Sequence, residues 1–167
     1  TGMGKSMQEL LAASVELNVV DGVILPNLKM QGAEEACAYL DGRGRCSIHP
    51  YRPGICRLFP LGRYYENGGF SYFLQTGECA KENRSKIKVS KWIDTPDLTR
   101  NQQFTLQWHD LLHAMEERLT GEDEGKQREE NLLLLRLFYL LPYEGTIDFY
   151  TQFTERMEHW NGQNGQI

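Results

Sequence analysis

The sequence predicts an α+β fold, in which a loop-rich cysteine segment with short strands and a hairpin packs on about three C-terminal helices, with a short N-terminal helix. Two observations predict it. Gly32 to Cys79 carries all four cysteines and half of the glycines and prolines, which is typical of loops and short strands. After Lys81, apolar residues recur at helical spacing. Since 167 residues suit one domain, we expect a single domain over 1–167, with a cysteine-cluster segment at 6–80 and a helical segment at 95–160.

The opening residues predict the start of a helix and not a phosphate-binding loop. Gly4-Lys5-Ser6 matches the end of such a loop, but the loop also requires an earlier glycine and a buried strand, which would lie before Thr1. Ser6, three residues before Glu9, instead forms a capping box, and the apolar residues that follow have helical spacing. We therefore predict a short amphipathic helix over Ser6–Leu17.

Two stretches favour extended structure. "VVDGVILPNLKMQG" (19–32) is rich in β-branched residues and is broken by Pro26. "RYYENGGFSYFLQ" (63–75) predicts a β-hairpin with Asn67-Gly68 as the turn between two aromatic-rich arms.

Three helices are predicted after residue 95. Thr95-Pro96 is an N-cap followed by proline at the first helical position, and an apolar stripe then follows one face from Phe104 to Leu119. The polar residues 120–126 predict a solvated linker.

The second and third helices follow this linker. The second covers about 127–141, is apolar on nearly every side in its second half, which predicts a central position, and ends at Pro142. The third begins near Thr146. Its large apolar residues are predicted to lie in the core; they are Phe149, Tyr150, Phe153, Met157 and Trp160.

Composition argues against two classes of partner. A net charge of -5 and a pI near 5.4 disfavour nucleic acid bound mainly through electrostatics. The longest apolar stretch, 132–141, contains Arg136 and is too short to cross a bilayer. Since the chain also lacks a signal-peptide pattern, we expect a cytoplasmic protein that binds neither nucleic acid nor membranes.

The residues suited to chemistry lie in "CAYLDGRGRCSIHPYRPGICRLFPLGR" (37–63) and "GEC" (77–79). Together these stretches contain all the cysteines: Cys37, Cys46, Cys56 and Cys79. Buried structural thiols, disulfides, and a catalytic thiol with His49 as its base are three alternatives. The fourth and favoured hypothesis is a metal site, which would use all four thiolates at once, as zinc and iron–sulfur clusters do.

Charge in the same segment favours the metal hypothesis. Five arginines lie between Cys37 and Cys79, against three acidic residues. A four-thiolate site carries net negative charge, which guanidinium donors to the sulfurs stabilise. Arg52 and Arg57, on either side of Cys56, are the predicted donors; the alternative is that the arginines only solvate loops.

The motif from Cys37 to Pro60, C-x8-C-S-I-H-P-Y-R-P-x-x-C-R-L-F-P, resembles the YkgJ-like cysteine-cluster family, whose domain is described as zinc- or iron-chelating. Members share the pairs that stand here at Arg52-Pro53, Cys56-Arg57 and Phe59-Pro60. The resemblance implies that Cys79 is the family's later cysteine. The sequence departs from the family in lacking a further cysteine group before the first helix.

Spacing bears on which metal is bound. Structural zinc sites pair their ligands as Cys-x2-4-Cys, whereas the gaps here are eight, nine and twenty-two residues. Iron–sulfur clusters accept wider spacing, so a [4Fe–4S] cluster is slightly favoured over zinc.

Two function classes stay open at this point. The first is a metal-binding accessory protein with a structural or redox role and an unknown protein partner. The second is an enzyme, because the family resemblance extends loosely to flagellin lysine methylases, which implies S-adenosylmethionine and a protein substrate. No glycine-rich adenosylmethionine loop supports the second class.

"HDLLH" (109–113) is similar to the helix of zinc proteases, in which two histidines one turn apart bind the metal. The buried stripe predicted for this helix leaves both histidines at its edge or in solvent. Solvated histidines are therefore the favoured interpretation.

Overall fold

The computed structural model describes residues 2–78 and 85–164 and has the predicted α+β fold. Its helices are α1 (Met7–Ala13), α2 (Gly54–Leu58), α3 (Val89–Ile93), α4 (Leu98–Leu119), α5 (Glu124–Leu135) and α6 (Phe149–Asn164), with a 3₁₀ turn at His49–Tyr51 and a π-helical turn at Arg136–Leu140. Its strands form three antiparallel pairs: β1 (Val15–Val20) with β2 (Val23–Leu28), β3 (Met30–Gln31) with β4 (Ala36–Cys37), and β5 (Leu61–Glu66) with β6 (Gly69–Leu74). Within the described residues, no helix is both long and apolar enough to span a membrane.

The chain divides into two compact units: one comprises Thr1–His49 and Asp110–Ile167, and the other comprises Pro50–His109. This division cuts across the predicted segments at 6–80 and 95–160, and the single domain over 1–167 stays a prediction. The first unit holds most of the buried apolar side chains, namely Val15, Val23, Leu111, Met115, Leu119, Leu134, Leu135, Leu137, Phe138, Phe153 and Trp160. The second buries Leu58 and Ile93.

Helix α1 begins as predicted and ends earlier. The Ser6 hydroxyl accepts the Glu9 N–H (3.2 Å), and the Glu9 carboxylate accepts the Ser6 N–H (2.7 Å), so the capping box is present. The hydrogen bonds that the Ser6 N–H and the Ser6 hydroxyl donate to the Glu9 carboxylate lower the pKa of that carboxyl. The helix ends at Ala13 and not at Leu17, because Val15 already begins β1.

Pro26 does not break the extended stretch predicted at 19–32. It lies inside β2, opposite Leu17 of β1. The turn between the strands is Asp21-Gly22, with φ of 51° and 80°. In a two-stranded ribbon both strands are edges, where proline is tolerated.

Asn131 of α5 binds this hairpin through its buried side chain amide, which is 3% exposed. Its Oδ1 accepts the Ile24 N–H at 2.6 Å. Its Nδ2 donates to the carbonyls of Gly22 (3.2 Å) and Gln127 (2.9 Å). One side chain thus satisfies backbone groups of both the β1–β2 hairpin and its own helix.

The β5–β6 hairpin is confirmed with the predicted turn. Asn67 and Gly68 connect the strands with φ of 50° and 70°, as a two-residue turn of type I′ requires. Tyr65 of β5 stacks on His109 of α4, with ring centroids 3.7 Å apart. The hairpin therefore packs on the part of α4 that belongs to the same unit.

We expect Gly68→Ala to lower the free energy of unfolding by about 1–2 kcal/mol, because an alanine at φ 70° adopts the left-handed region. No heavy atom of the described residues lies within 4 Å of the position of its Cβ, so the cost is conformational and not steric. Urea denaturation measures it. Gly69→Ala is the matched control, since a Cβ there meets only the Glu66 carbonyl at 3.8 Å; equal effects in both variants would contradict the turn assignment.

Helix α4 begins two residues after the predicted proline position. Asp97 is the capping residue: its Oδ1 accepts the Arg100 N–H at 3.0 Å. The prediction of Thr95 as N-cap was therefore wrong, because the Asp97 carboxylate supplies the acceptor.

Helix α5 starts at Glu124, inside the stretch predicted as a linker. Asp123 caps it, accepting the N–H groups of Gly125 (2.9 Å) and Lys126 (3.2 Å). Farther along, the buried Glu130 carboxylate accepts two hydrogen bonds from Arg118 of α4, at 2.9 and 2.6 Å.

The last part of the predicted second helix differs from the prediction in two ways. Residues Arg136–Leu140 form a π-helical turn, and Leu132 and Leu140 are exposed, so the segment is buried on one side only.

In α6, Phe153 and Trp160 lie in the core against Phe138, as predicted. Tyr150 and Met157 are half-buried, and Phe149, the first residue of the helix, is exposed, so its predicted core position was wrong.

Candidate metal centre

Cys37 and Cys46 lie on the two sides of one small folded loop in the first unit. Cys37 ends β4, where it pairs with Met30, and Cys46 forms a β-bridge with Leu40. The Leu40 N–H donates to the Cys37 carbonyl at 2.9 Å. Leu40 therefore contacts the backbone of both cysteines, and the loop between them is short and closed.

Asp41 fixes the tip of this loop. Its Oδ1 accepts the N–H groups of Arg43 (2.8 Å) and Arg45 (2.9 Å), and its own N–H donates to the Arg45 carbonyl (2.8 Å). Gly44 supplies the positive φ of 71° that the turn needs. The tip is thus formed by local hydrogen bonds that do not depend on a bound metal.

The base of the loop is fixed by Tyr39. Its carbonyl accepts both the N–H (2.8 Å) and the hydroxyl (2.9 Å) of Ser47. Its phenol hydrogen-bonds to the hydroxyl of Ser14, next to β1. Cys46, next to Ser47, is therefore held by backbone contacts on both sides.

Both thiols in this loop are free and partly exposed. A metal ion could reach them without unfolding the unit. Such a pair suits metal binding better than buried structural thiols, which are closed to solvent.

Cys56 lies in the second unit, on the short helix α2. Pro53 precedes this helix with extended φ and ψ of -56° and 156°, and a cis Phe59-Pro60 bond follows it. The cysteine is half-buried. Trp92 closes the end of the helix, because its indole N–H donates to the carbonyls of Leu58 (3.3 Å) and Phe59 (3.2 Å).

Arg57 binds backbone carbonyls. Its Nη2 donates to Pro50 (2.9 Å) and its Nη1 to Asp94 (3.2 Å), at the end of α3. Arg57 therefore stabilises the fold around Cys56. Its predicted contact with a thiolate stays a prediction.

Arg52 is better suited than Arg57 to donate a hydrogen bond to a metal-bound thiolate. Its Nε is buried and has no hydrogen-bond partner within the described part of the chain. A buried donor without an acceptor is costly. A negatively charged centre beside α2 would supply the missing acceptor, so the local chemistry fits a thiolate-bound metal.

The four predicted ligands are not assembled in the described residues. Cys79 lies outside them. Among residues 2–78 and 85–164, no three His, Cys, Asp or Glu side chains form a group that could hold a metal ion. Cys37 and Cys46 share one unit and Cys56 belongs to the other, so the four-cysteine site stays a prediction.

The three histidines considered as ligands or bases in the sequence lie in different environments. His109 is half-buried against Tyr65. His113 is 58% exposed and lies 3.7 and 3.8 Å from Glu116 and Glu117 of its own helix. His49 is exposed at the start of the 3₁₀ turn. The positions of His109 and His113 agree with the edge and solvent positions predicted for "HDLLH".

Two buried polar groups were not predicted from the sequence. Arg63 Nε and the Tyr72 hydroxyl, paired across β5 and β6, are buried without hydrogen-bond partners in the described residues. The Arg63 guanidinium lies over the rings of Phe70 (5.4 Å) and Tyr72 (6.0 Å). The period-two alternation of the hairpin places these groups on one face and could have revealed them.

Comparison with known proteins supports the cysteine motif. Residues 5–69, less than half of the chain, match the CxxCxxCC family, whose description is "Putative zinc- or iron-chelating domain". The match includes Cys37, Cys46 and Cys56 and excludes Cys79. No curated protein and no solved structure matches the chain. The family match confirms the resemblance to the YkgJ-like cysteine-cluster family that the motif from Cys37 to Pro60 predicts, and residues 5–69 are the part of the chain that is similar to this domain.

Proposed function

We propose that this protein binds a metal centre through the thiolates of Cys37, Cys46, Cys56 and Cys79, and acts as an accessory protein with a structural or redox role toward a protein partner. The observation that carries the proposal is the family match over the segment that contains the first three cysteines. The metal-independent loop around Cys37 and Cys46 adds to it. A loop backbone that is already ordered loses little conformational entropy when its two cysteines bind a metal.

We favour an iron–sulfur cluster over zinc because the wide gaps between the cysteines lack the paired spacing of zinc sites. A cluster would supply one-electron transfer, whereas zinc would supply a cross-link that stabilises the fold. In either case Arg52 would donate its unsatisfied Nε–H toward the negative charge of the centre. The lysine methylase alternative stays a prediction, since no finding favours it.

Elemental analysis and an absorption spectrum of protein purified without oxygen test the proposal. We expect about four irons and four labile sulfides per chain, with a broad visible band at about 400 nm. About one zinc per chain without this band would support the metal site and reject the cluster. A chain free of both metals after purification and after reconstitution would contradict the proposal.

A further inference from the structure

A cavity of about 560 Å³ lies in the first unit, away from the cysteines. The end of α5, the π-helical turn, the loop at 141–148 and α6 form its walls. Its volume falls within the range of about 300–1,000 Å³ that holds small molecules in proteins. Neither Cys37 nor Cys46 lines it, so it is independent of the proposed metal centre.

The π-helical turn shapes one wall. The Leu141 N–H donates to the Arg136 carbonyl at 3.0 Å, five residues back, which widens the helix by one residue. Such turns are frequent at functional sites. The apolar part of the lining consists of Leu133, Leu137, Leu141, Pro142 and Ile147.

Two side chains of α6 hold the loop wall in place. Gln152 accepts the Glu144 N–H (2.8 Å) and donates to the carbonyls of Glu144 (3.0 Å) and Ile147 (2.9 Å). Arg156 donates to the carbonyls of Leu137 (2.6 Å), Leu141 (3.0 Å) and Pro142 (2.9 Å). The cavity is therefore preformed, and the side chains of Gln152 and Arg156 are already hydrogen-bonded to its backbone groups.

Three charged side chains of the lining are not used in this way. They are Arg136, Glu144 and Glu155. Among the hydrogen bonds and ion pairs of the described residues, none joins any of these side chains to a partner. The cavity thus offers an available guanidinium, two available carboxylates and an apolar surface.

We propose that this cavity binds a small zwitterion with an apolar side chain, of the α-amino acid class. Arg136 would bind the carboxylate, because its guanidinium can donate two parallel hydrogen bonds. Glu155 would accept hydrogen bonds from the ammonium group. The leucines and Ile147 would contact the side chain.

NMR titration of the isotope-labelled chain with L-leucine, L-methionine and L-phenylalanine tests this proposal. We expect saturable shifts of the backbone amides of Arg136, Ile147 and Glu155 with at least one of them. 4-Methylpentanoate, which lacks the amine, and 3-methylbutylamine, which lacks the carboxylate, should bind at least about tenfold more weakly than L-leucine.

Substitutions locate the site. Arg136→Gln and Glu155→Gln should each weaken binding by about tenfold or more, which corresponds to loss of one charged contact. Glu158→Gln is the matched control, since Glu158 is an exposed carboxylate of the same helix that does not line the cavity. The proposal is overturned if none of the three amino acids gives a saturable shift up to about 20 mM, or if the analogue without the amine binds as well as L-leucine.

Discussion

Replacing Asn131 with alanine is expected to lower the free energy of unfolding by about 3 kcal/mol. The substitution removes the acceptor of the half-buried Ile24 N–H and the donors to Gly22 and Gln127. Each buried group that loses its partner costs about 1–3 kcal/mol, and the cavity left by the amide adds to this. The Gly22 carbonyl is exposed, and water can replace its lost donor, so the Ile24 N–H accounts for most of the effect.

Urea denaturation of Asn131→Ala beside Asn18→Ala measures this effect. Asn18 is an exposed asparagine of β1 whose amide donates to the exposed Glu16 carboxylate at 3.2 Å, so its loss should cost less than about 0.5 kcal/mol. Asn131→Asp separates the two halves of the amide, because it keeps an acceptor for Ile24 and loses the donors. Similar stabilities for the Asn131 and Asn18 variants would show that the buried amide does not hold the hairpin.

The β5–β6 hairpin could be predicted from the sequence because its turn is specified locally. Asn67 and Gly68 both tolerate the positive φ that a type I′ turn requires, and alternating aromatic residues flank them. The β1–β2 hairpin has the equivalent Asp21-Gly22 turn. It was not predicted because Pro26 was taken as a break, although a proline in a two-stranded ribbon costs little.

Helix ends were less predictable than helix positions, because several polar residues near each end compete to cap it. Thr95 and Asp97 are both possible caps, and the Asp97 carboxylate is the one that accepts the Arg100 N–H. The π-helical turn at Arg136–Leu140 had no sequence signal. The Leu137 carbonyl within this turn and the Leu141 carbonyl directly after it accept hydrogen bonds from Arg156, nineteen residues after Leu137, so the turn is supported by tertiary contacts.

The family and the cysteine loop could be predicted because the motif residues stand at fixed offsets in the sequence. The roles of the arginines could not. Arg52 stands four residues before Cys56 and Arg57 directly after it, and both are candidate donors by charge and spacing, yet Arg57 binds two carbonyls and Arg52 keeps a buried Nε without a partner in the described residues. This difference depends on where the Pro50 and Asp94 carbonyls lie, which spacing does not specify.

Replacing Cys56 with serine is expected to abolish stoichiometric metal binding and to lower the free energy of unfolding of the metal-bound protein by more than about 3 kcal/mol. Structural metals contribute about 10–16 kcal/mol of binding free energy that is coupled to folding, and a hydroxyl replaces a thiolate poorly as a ligand. Metal content by elemental analysis and stability by thermal denaturation measure the two effects on the same samples.

Ile55→Ser is the matched control for Cys56→Ser. Ile55 is the neighbouring residue of α2, is 69% exposed and has no proposed ligand role, so its substitution should leave the metal content unchanged and alter stability by less than about 1 kcal/mol. A chelator completes the test. The chelator should lower the stability of the unsubstituted protein to that of Cys56→Ser. It should leave the stability of the variant unchanged, because the variant has no metal to lose. If Cys56→Ser keeps its metal and its stability, Cys56 is not a ligand. If the variant loses stability and the chelator affects both proteins equally, the serine acts through the packing of α2 and not through a metal.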